Sequence, residues 1–171
     1  PTIHIPYNIV QFKNLGKEFS GKNDVYINYA MNLANQFSLE DKFPLAHKYG
    51  LFFLDENSNI LVKKTELMLD DKPEKNIRLG LNEEYQINSI ELKTKPDSAQ
   101  IVFEIMRVSD KGISANRFDY KFKNFSEHEL DISDILLAEE VSKGGADLTI
   151  KRGDINIIPN PLNEFTPISN I

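Results

Sequence analysis

Cysteine and tryptophan are both missing from this chain of 171 residues, and histidine occurs three times, at His4, His47 and His128. Without cysteine there is no thiol nucleophile, no disulfide, no iron–sulfur cluster and no zinc site of the cysteine type. The absence assigns no compartment, because exported bacterial domains also manage without disulfides. Without tryptophan, an aromatic platform for carbohydrate has to come from six tyrosines and eleven phenylalanines. Most of these fall at inward phases of their segments, leaving Tyr7, Tyr26 and Tyr85 as candidates for exposed rings. No apolar run approaches the roughly 18 residues of a membrane-spanning helix, which predicts a soluble chain with no membrane span. Positive charge is the minority sign, with 20 Lys and Arg against 26 Asp and Glu and a net charge of -6. The basic residues are scattered among acids and build no phosphate-neutralising patch, so nucleic acid is not an expected partner. The chain opens at Pro1 with neither initiator Met nor signal peptide, as a processed or excised fragment would.

What is present is apolar residue in alternation. A hydrophobic content of 40% is enough for a core and excludes general disorder. In "DVYINYAMNLA", Val25, Ile27, Tyr29, Met31 and Leu33 share one face, and Tyr26, Asn28, Ala30 and Asn32 the other. Period two with β-branched and aromatic residues reads as a strand. "YGLFFLDENSNILVKKTELML" reads as a hairpin around "DENSN", whose side chains make turns with their own backbone. "EYQINSIELK" alternates through Tyr85 and Ile87 and resumes out of phase at Ile90 and Leu92, which predicts a bulge near Asn88 and Ser89. "AQIVFEIMRV" and "NRFDYKFKNF" flank the turn "SDKG" and point Ile101, Phe103, Ile105, Phe118, Tyr120 and Phe122 inward. A last pair, "ADLTI" and "DINIIP", is joined by "KRGD". The pattern predicts an all-β fold, a two-sheet antiparallel β-sandwich, Ig-like or related, with at most short helical turns. Residues 1–24 form an N-terminal arm or first strand and loop, and residues 25–171 the sandwich; together they make one domain of a larger protein.

Chemical motifs are sparse. The histidines are far apart in sequence and read as surface or strand-end residues, since HxH, HExxH and HxxxH are absent. Ser126 and His128 would share a strand face, but no third group orients the imidazole, and so polar a stretch reads better as a turn. The acid pairs Glu83–Glu84 and Glu139–Glu140 are adjacent, whereas glycosidase carboxylates must face each other across a cleft. "KGG" at residues 143–145 is a turn rather than a nucleotide loop, and Arg152-Gly153-Asp154 matches the integrin-ligand tripeptide at a place where a hairpin turn is needed. No residue is assigned a catalytic, cofactor-binding or metal-ligating role, and no cofactor is expected.

"LDISDILLAEEVSKGG", residues 130–145, supports two structures. Ser133 suits an N-cap and Gly144 a helix end, yet a helix would turn Glu139 onto the apolar face of Ile132, Ile135 and Leu136. We read a bulged strand through Ala138, with at most a helical turn at Glu139–Lys143. The segment resembles the β-rich region of the GWxTD-domain proteins of Bacteroidetes-type bacteria. Leu130, Ile132, Ser133, Asp134, Ile135, Leu137 and Ala138 match its SDI-LA strand, and Pro159, Pro161 and Phe165 its P-x-P and aromatic. The namesake motif is missing. The resemblance implies a β-rich architecture and an extracytoplasmic, periplasmic or cell-surface location, but no reaction. The function expected is therefore a non-catalytic accessory or protein-interaction module. Its partner is a protein or a neighbouring domain of the same full-length chain, bound at an exposed strand edge carrying "DINIIP" or the first arm. A carbohydrate- or peptide-binding module is the alternative reading, and a hydrolase domain a third.

Overall fold

Every residue from Asn23 to Met31 is buried, so the strand with the strongest alternation has no solvent face at all. A computed structural model describes residues 2–14, 21–32, 45–70, 77–79, 84–95, 98–108, 110–125, 133–144 and 150–163. These form β1 (Tyr7–Lys13), β2 (Asn23–Asn32), β3 (Leu45–Leu54), β4 (Ile60–Asp70), β5 (Ile77–Leu79) and β6 (Glu84–Thr94). They continue as β7 (Ser98–Arg107), β8 (Ile113–Lys121), β9 (Ala138–Lys143), β10 (Ile150–Arg152) and β11 (Ile155–Pro159), with no helix among the described residues. A front sheet has the order β4-β3-β7-β8, a middle sheet β1-β2-β6-β5, and a back sheet β10-β11-β9. All strand pairs are antiparallel.

The front and middle sheets make the expected sandwich. Val25, Ile27, Tyr29 and Met31 of β2 meet Tyr49, Leu51 and Phe53 of β3 and Ile101, Phe103 and Ile105 of β7. Phe118 and Tyr120 pack onto this core from β8, and Phe122 joins it just beyond, as their alternation requires. The back sheet adds a third layer. Val10 and Tyr26 pack with Ile150, and Ala30 and Ile87 with Ile158. Each large apolar side chain buried this way contributes about 1.5–3 kcal/mol, so covering the second face is a substantial gain.

This third layer explains a phase change that the sequence attributes to a bulge. The β2–β6 register runs unbroken from Asn23↔Thr94 to Asn32↔Tyr85, and Asn88 and Ser89 sit in it regularly. Ile87 is out of phase with Ile90 because Ile87 packs with Ile158 of the back sheet and Ile90 with the front core. Both faces of β6 are covered, so both phases carry apolar residues. The buried polar groups on β2 are paired across strands: Asn28 Nδ2 donates to Asn8 Oδ1 at 2.8 Å, and Ser89 Oγ donates to Asn28 Oδ1 at 2.5 Å.

Residues 133–143 reverse the expected order. Ser133–Leu137 belongs to no ladder, and the strand begins at Ala138, where the sequence reading ends it. Asp134 brackets Gln11 on the outer edge of β1: Gln11 N donates to Asp134 Oδ2 at 2.9 Å and Asp134 N donates to Gln11 O at 3.1 Å. Residues Glu139–Lys143 form strand rather than a helical turn because β11 supplies a partner, from Lys143↔Ile155 to Ala138↔Pro159. Tertiary pairing overrides the helix propensity of Ala138 and the glutamates. The first arm is similarly employed. Ile3 N donates to Ile113 O at 2.9 Å at the start of β8, and Pro6 O accepts from Ala30 N at 3.0 Å, before β1 pairs along its length with β2. The turn at Asp55–Asn59 holds as read, with Asp55 Oδ1 accepting from Asn57 N at 2.9 Å and Asn59 N at 2.8 Å.

If the back sheet covers β6, Ile87→Ala should destabilise the chain by about 2–4 kcal/mol in urea unfolding, comparable to Ile27→Ala in the front core. A loss below about 0.5 kcal/mol, the scale of a surface substitution, would mean that this face is not buried.

Candidate functional site

The histidines do not assemble. His4 is exposed, His128 lies outside the described residues with Ser126, and His47 is only 1% exposed. The sequence reading of His47 as a surface or strand-end residue is corrected by its phase. It shares period two with Tyr49, Leu51 and Phe53, all of which face the core. Tyr29 Oη and His47 Nε2 share a hydrogen bond of 2.7 Å that links the middle and front sheets. Burial, and then the neighbouring Tyr49 and Glu66, push the Tyr29 hydroxyl well above its ordinary pKa, so it stays neutral. Tyr49 Oη donates to Glu66 Oε2 at 2.8 Å. Glu139 and Glu140 are both exposed on β9, while Glu83 and the Glu84 side chain lie outside the described residues. Among the described residues, no group of three His, Cys, Asp or Glu is placed to hold a metal ion.

The three tyrosines considered for exposed platforms are all engaged. Tyr7 packs between Phe103 and Phe118 with ring centroids at 5.8 and 5.6 Å, Tyr26 is buried, and Tyr85 packs against the Ala30–Ile87 cluster. Their strands are edge-covered or two-faced, which a single alternating pattern does not reveal.

Asp24 is the centre of the strongest charge cluster. Its side chain is buried on β2, where Lys93 of β6 reaches Oδ1 at 3.0 Å and Arg152 of β10 reaches Oδ2 at 2.7 Å. Asn14 also donates to Oδ1. The Arg152 guanidinium lies 4.7 Å over the Phe12 ring, and Phe12 meets Tyr26 edge-on. The arginine of the Arg-Gly-Asp tripeptide is thus turned onto Asp24, not displayed, while Gly153 takes a φ of 63° in the tight turn. Burial raises the Asp24 pKa, but hydrogen bonds from Asn14, Lys93 and Arg152 together with the Lys93 charge outweigh it, and the net shift is downward from 3.8. The cluster acts as a clamp between middle and back sheets.

A cleft of about 530 Å³ opens at the Asp55–Asn59 end of the front sheet, lined by Asp55, Gln100, Arg117, Asp119, Tyr120 and Lys121 among others. Three of its polar side chains hold one another. Arg117 Nε donates to Gln100 Oε1, and Gln100 Nε2 donates to Asp119 Oδ1 at 3.2 Å. Hydrogen bonds from the Asn59 side chain and from the Asn59 and Asn57 amides hold the Asp55 carboxyl below its usual range. The Tyr120 hydroxyl, pushed up to about 12 by burial and by the Asp134 carboxylate, accepts from Gln11 Nε2 at 3.3 Å.

Strand edges are the remaining candidates, and they are treated unequally. The arm at Thr2–Ile3 covers the start of β8, and Ser133–Asp134 covers β1. Among the described residues, the end strands β4, β5, β9 and β10 also pair with a neighbouring strand on one side only. "DINIIP" is not an edge, because β11 lies between β10 and β9; Pro159 is accommodated there by a register shift after Ile158. Apart from Ile113 on β8, the exposed large apolar side chains gather at two of these edges, β9 and β4. Ile135 is 83% and Val141 61% exposed in and before β9, with Leu137 between them. Leu61 is 54% and Leu67 46% exposed on β4, alongside Ile60. Sequence alternation could not find these edges, because strand order decides which alternating segment is left at the side.

Comparison with family models, with curated proteins and with solved structures finds no match to the chain.

The clamp has a pH signature. Asp24 has a lowered folded pKa, so its contribution is present above the unfolded carboxyl value near 3.8 and is lost as pH falls through the lower folded value. Urea midpoints measured from pH 6 down to pH 2 should show Asp24→Asn losing about 1–3 kcal/mol at pH 6, with the gap to the natural chain closing below pH 4. A gap that stayed constant with pH would remove the ionic role.

Proposed function

We propose that the chain is a non-catalytic interaction module of an exported bacterial protein, and that it takes an extended segment of a partner protein on the open edge of β9. The edge at β9 carries this reading. It presents Val141 with Ile135 and Leu137 just before it, and β9 stands at the end of its sheet with β11 as its only strand neighbour among the described residues. An added strand gains its affinity from main-chain hydrogen bonds and its selectivity from side chains at alternate positions. On β9, past the register shift that skips Glu139, those positions are Val141 and Lys143 on one face and Glu140 and Ser142 on the other. The matching segment carries an apolar residue opposite Val141 and a basic one opposite Glu140.

The buried ionisable groups support a structural use of polar chemistry. His47 is joined to Tyr29, Glu66 to Tyr49, and Asp24 to Lys93 and Arg152. The resemblance to GWxTD-domain proteins supports the extracytoplasmic placement and the membership of a larger chain. A carbohydrate or peptide site in the cleft beside Asp55 is less favoured, because Arg117, Gln100 and Asp119 in its lining already bond one another.

Panning a displayed peptide library on the whole chain tests the reading. Enriched peptides should alternate apolar residues, carry Lys or Arg near the apolar position, and bind at least about tenfold more weakly to Val141→Lys. Peptides indifferent to Val141→Lys but lost on Arg117→Ala would transfer the site to the cleft. Turnover of a glycoside or ester substrate would overturn the non-catalytic assignment.

A further inference from the structure

β4, which pairs only with β3 among the described residues, has a pattern that fits one partner in particular. Val62, Lys64, Glu66 and Met68 pair with Phe53, Leu51, Tyr49 and His47, and therefore face inward with them. Lys63, Thr65 and Leu67 pair with Phe52, Gly50 and Lys48 and face outward. When a strand pairs antiparallel with a copy of itself, the two-fold axis is perpendicular to the sheet. Directly opposed side chains then share a face, so the axis must pass beside a residue that meets its own copy.

The central residues of β4 are Lys63, Lys64, Thr65 and Glu66. Placing the axis at Lys63, Lys64 or Glu66 sets like charges directly opposite one another, which is destabilising. Placing it at Thr65 sets threonine against threonine. The same register puts Lys64 opposite Glu66 twice and Val62 opposite Met68 twice. It also lays the aliphatic stem of Lys63 against Leu67 twice. Lysines on an edge strand ordinarily deter foreign strands. In this register each inward lysine instead meets a glutamate of the second copy.

We infer that β4 is a self-association edge, pairing two copies about Thr65 into one continuous sheet built from two four-stranded front sheets. The outward Leu67 and the bulged Leu61, exposed in the single chain, then lie along the new seam. Ion pairs and main-chain hydrogen bonds dominate the seam, which makes the association weaken as salt is raised. It uses an edge on a different sheet from β9, so it stands or falls independently of the proposed partner site.

Sedimentation velocity of the whole chain over a concentration series should show a monomer–dimer equilibrium. Lys64→Glu and Glu66→Lys should each weaken it by at least about tenfold. Mixing the two variants should restore dimers, because K64E supplies acids at both positions and E66K supplies bases at both. The chain has no cysteine, so Thr65→Cys introduces a single thiol. On mild oxidation it should form a disulfide-linked dimer far faster than Ala115→Cys, which is exposed on β8 of the same sheet. Tyr49 donates to Glu66, so E66K could lose stability for its own reasons; thermal melts monitor that, and K64E with the Thr65→Cys cross-link then decides. A chain that is monomeric up to about 1 mM, or a dimer indifferent to K64E and cross-linked no faster at Thr65→Cys than at Ala115→Cys, would overturn the inference.

Discussion

The middle sheet has to be covered on both sides, and the rest of the molecule follows from that requirement. β2 carries Val25, Ile27, Tyr29 and Met31 toward one neighbour and Tyr26 and Ala30 toward the other. A strand of this kind cannot be left at a surface without exposing aromatic and branched side chains to water. The front sheet satisfies one side with a continuous apolar core. The back sheet satisfies the other with two smaller clusters, and its three strands are short enough that they could not hold together alone.

Burial alone does not choose how layers are aligned, and polar groups supply that at each interface. Tyr29 and His47 join middle to front. Asp24 with Arg152 joins middle to back, helped by Lys93 from within the sheet. Gln11 is a further node. Its side-chain oxygen accepts from Asn23 Nδ2 at 3.1 Å and from Lys123 N at 2.8 Å, while its main chain is bracketed by Asp134. Such groups are costly to bury unless every partner is in place, so they penalise shifted registers more strongly than apolar side chains do. The open edges lie outside this network, which is where an association can occur without disturbing it.

The all-β antiparallel character, the main hairpins and the inward faces of β2, β7 and β8 were legible in the sequence, because period two records burial directly. The third layer was not, although its trace was there. Ile87 falling out of phase with Ile90 reads equally as a bulge or as two covered faces, and only tertiary packing separates them. β5 was missed because three residues carry no period. The swap at 133–143 has a similar origin, since a segment of helix-forming residues becomes strand when another strand satisfies its main chain. The open edges were least visible: alternation states which face is buried, whereas edge position depends on strand order.

The bonds that fasten β1 and β2 span most of the chain. Gln11 meets Asp134 across 123 positions, and Asp24 meets Arg152 across 128. Contacts of such long sequence separation form late, because the intervening chain must be closed into a loop first. During synthesis the β1–β2 pair can form early as a hairpin-like unit, yet its back face and outer edge stay bare until Asp134 and the strands β9 to β11 leave the ribosome. The earliest strands are therefore among the last to be completed, and until then their bare apolar face is the part of the chain most exposed to misassociation.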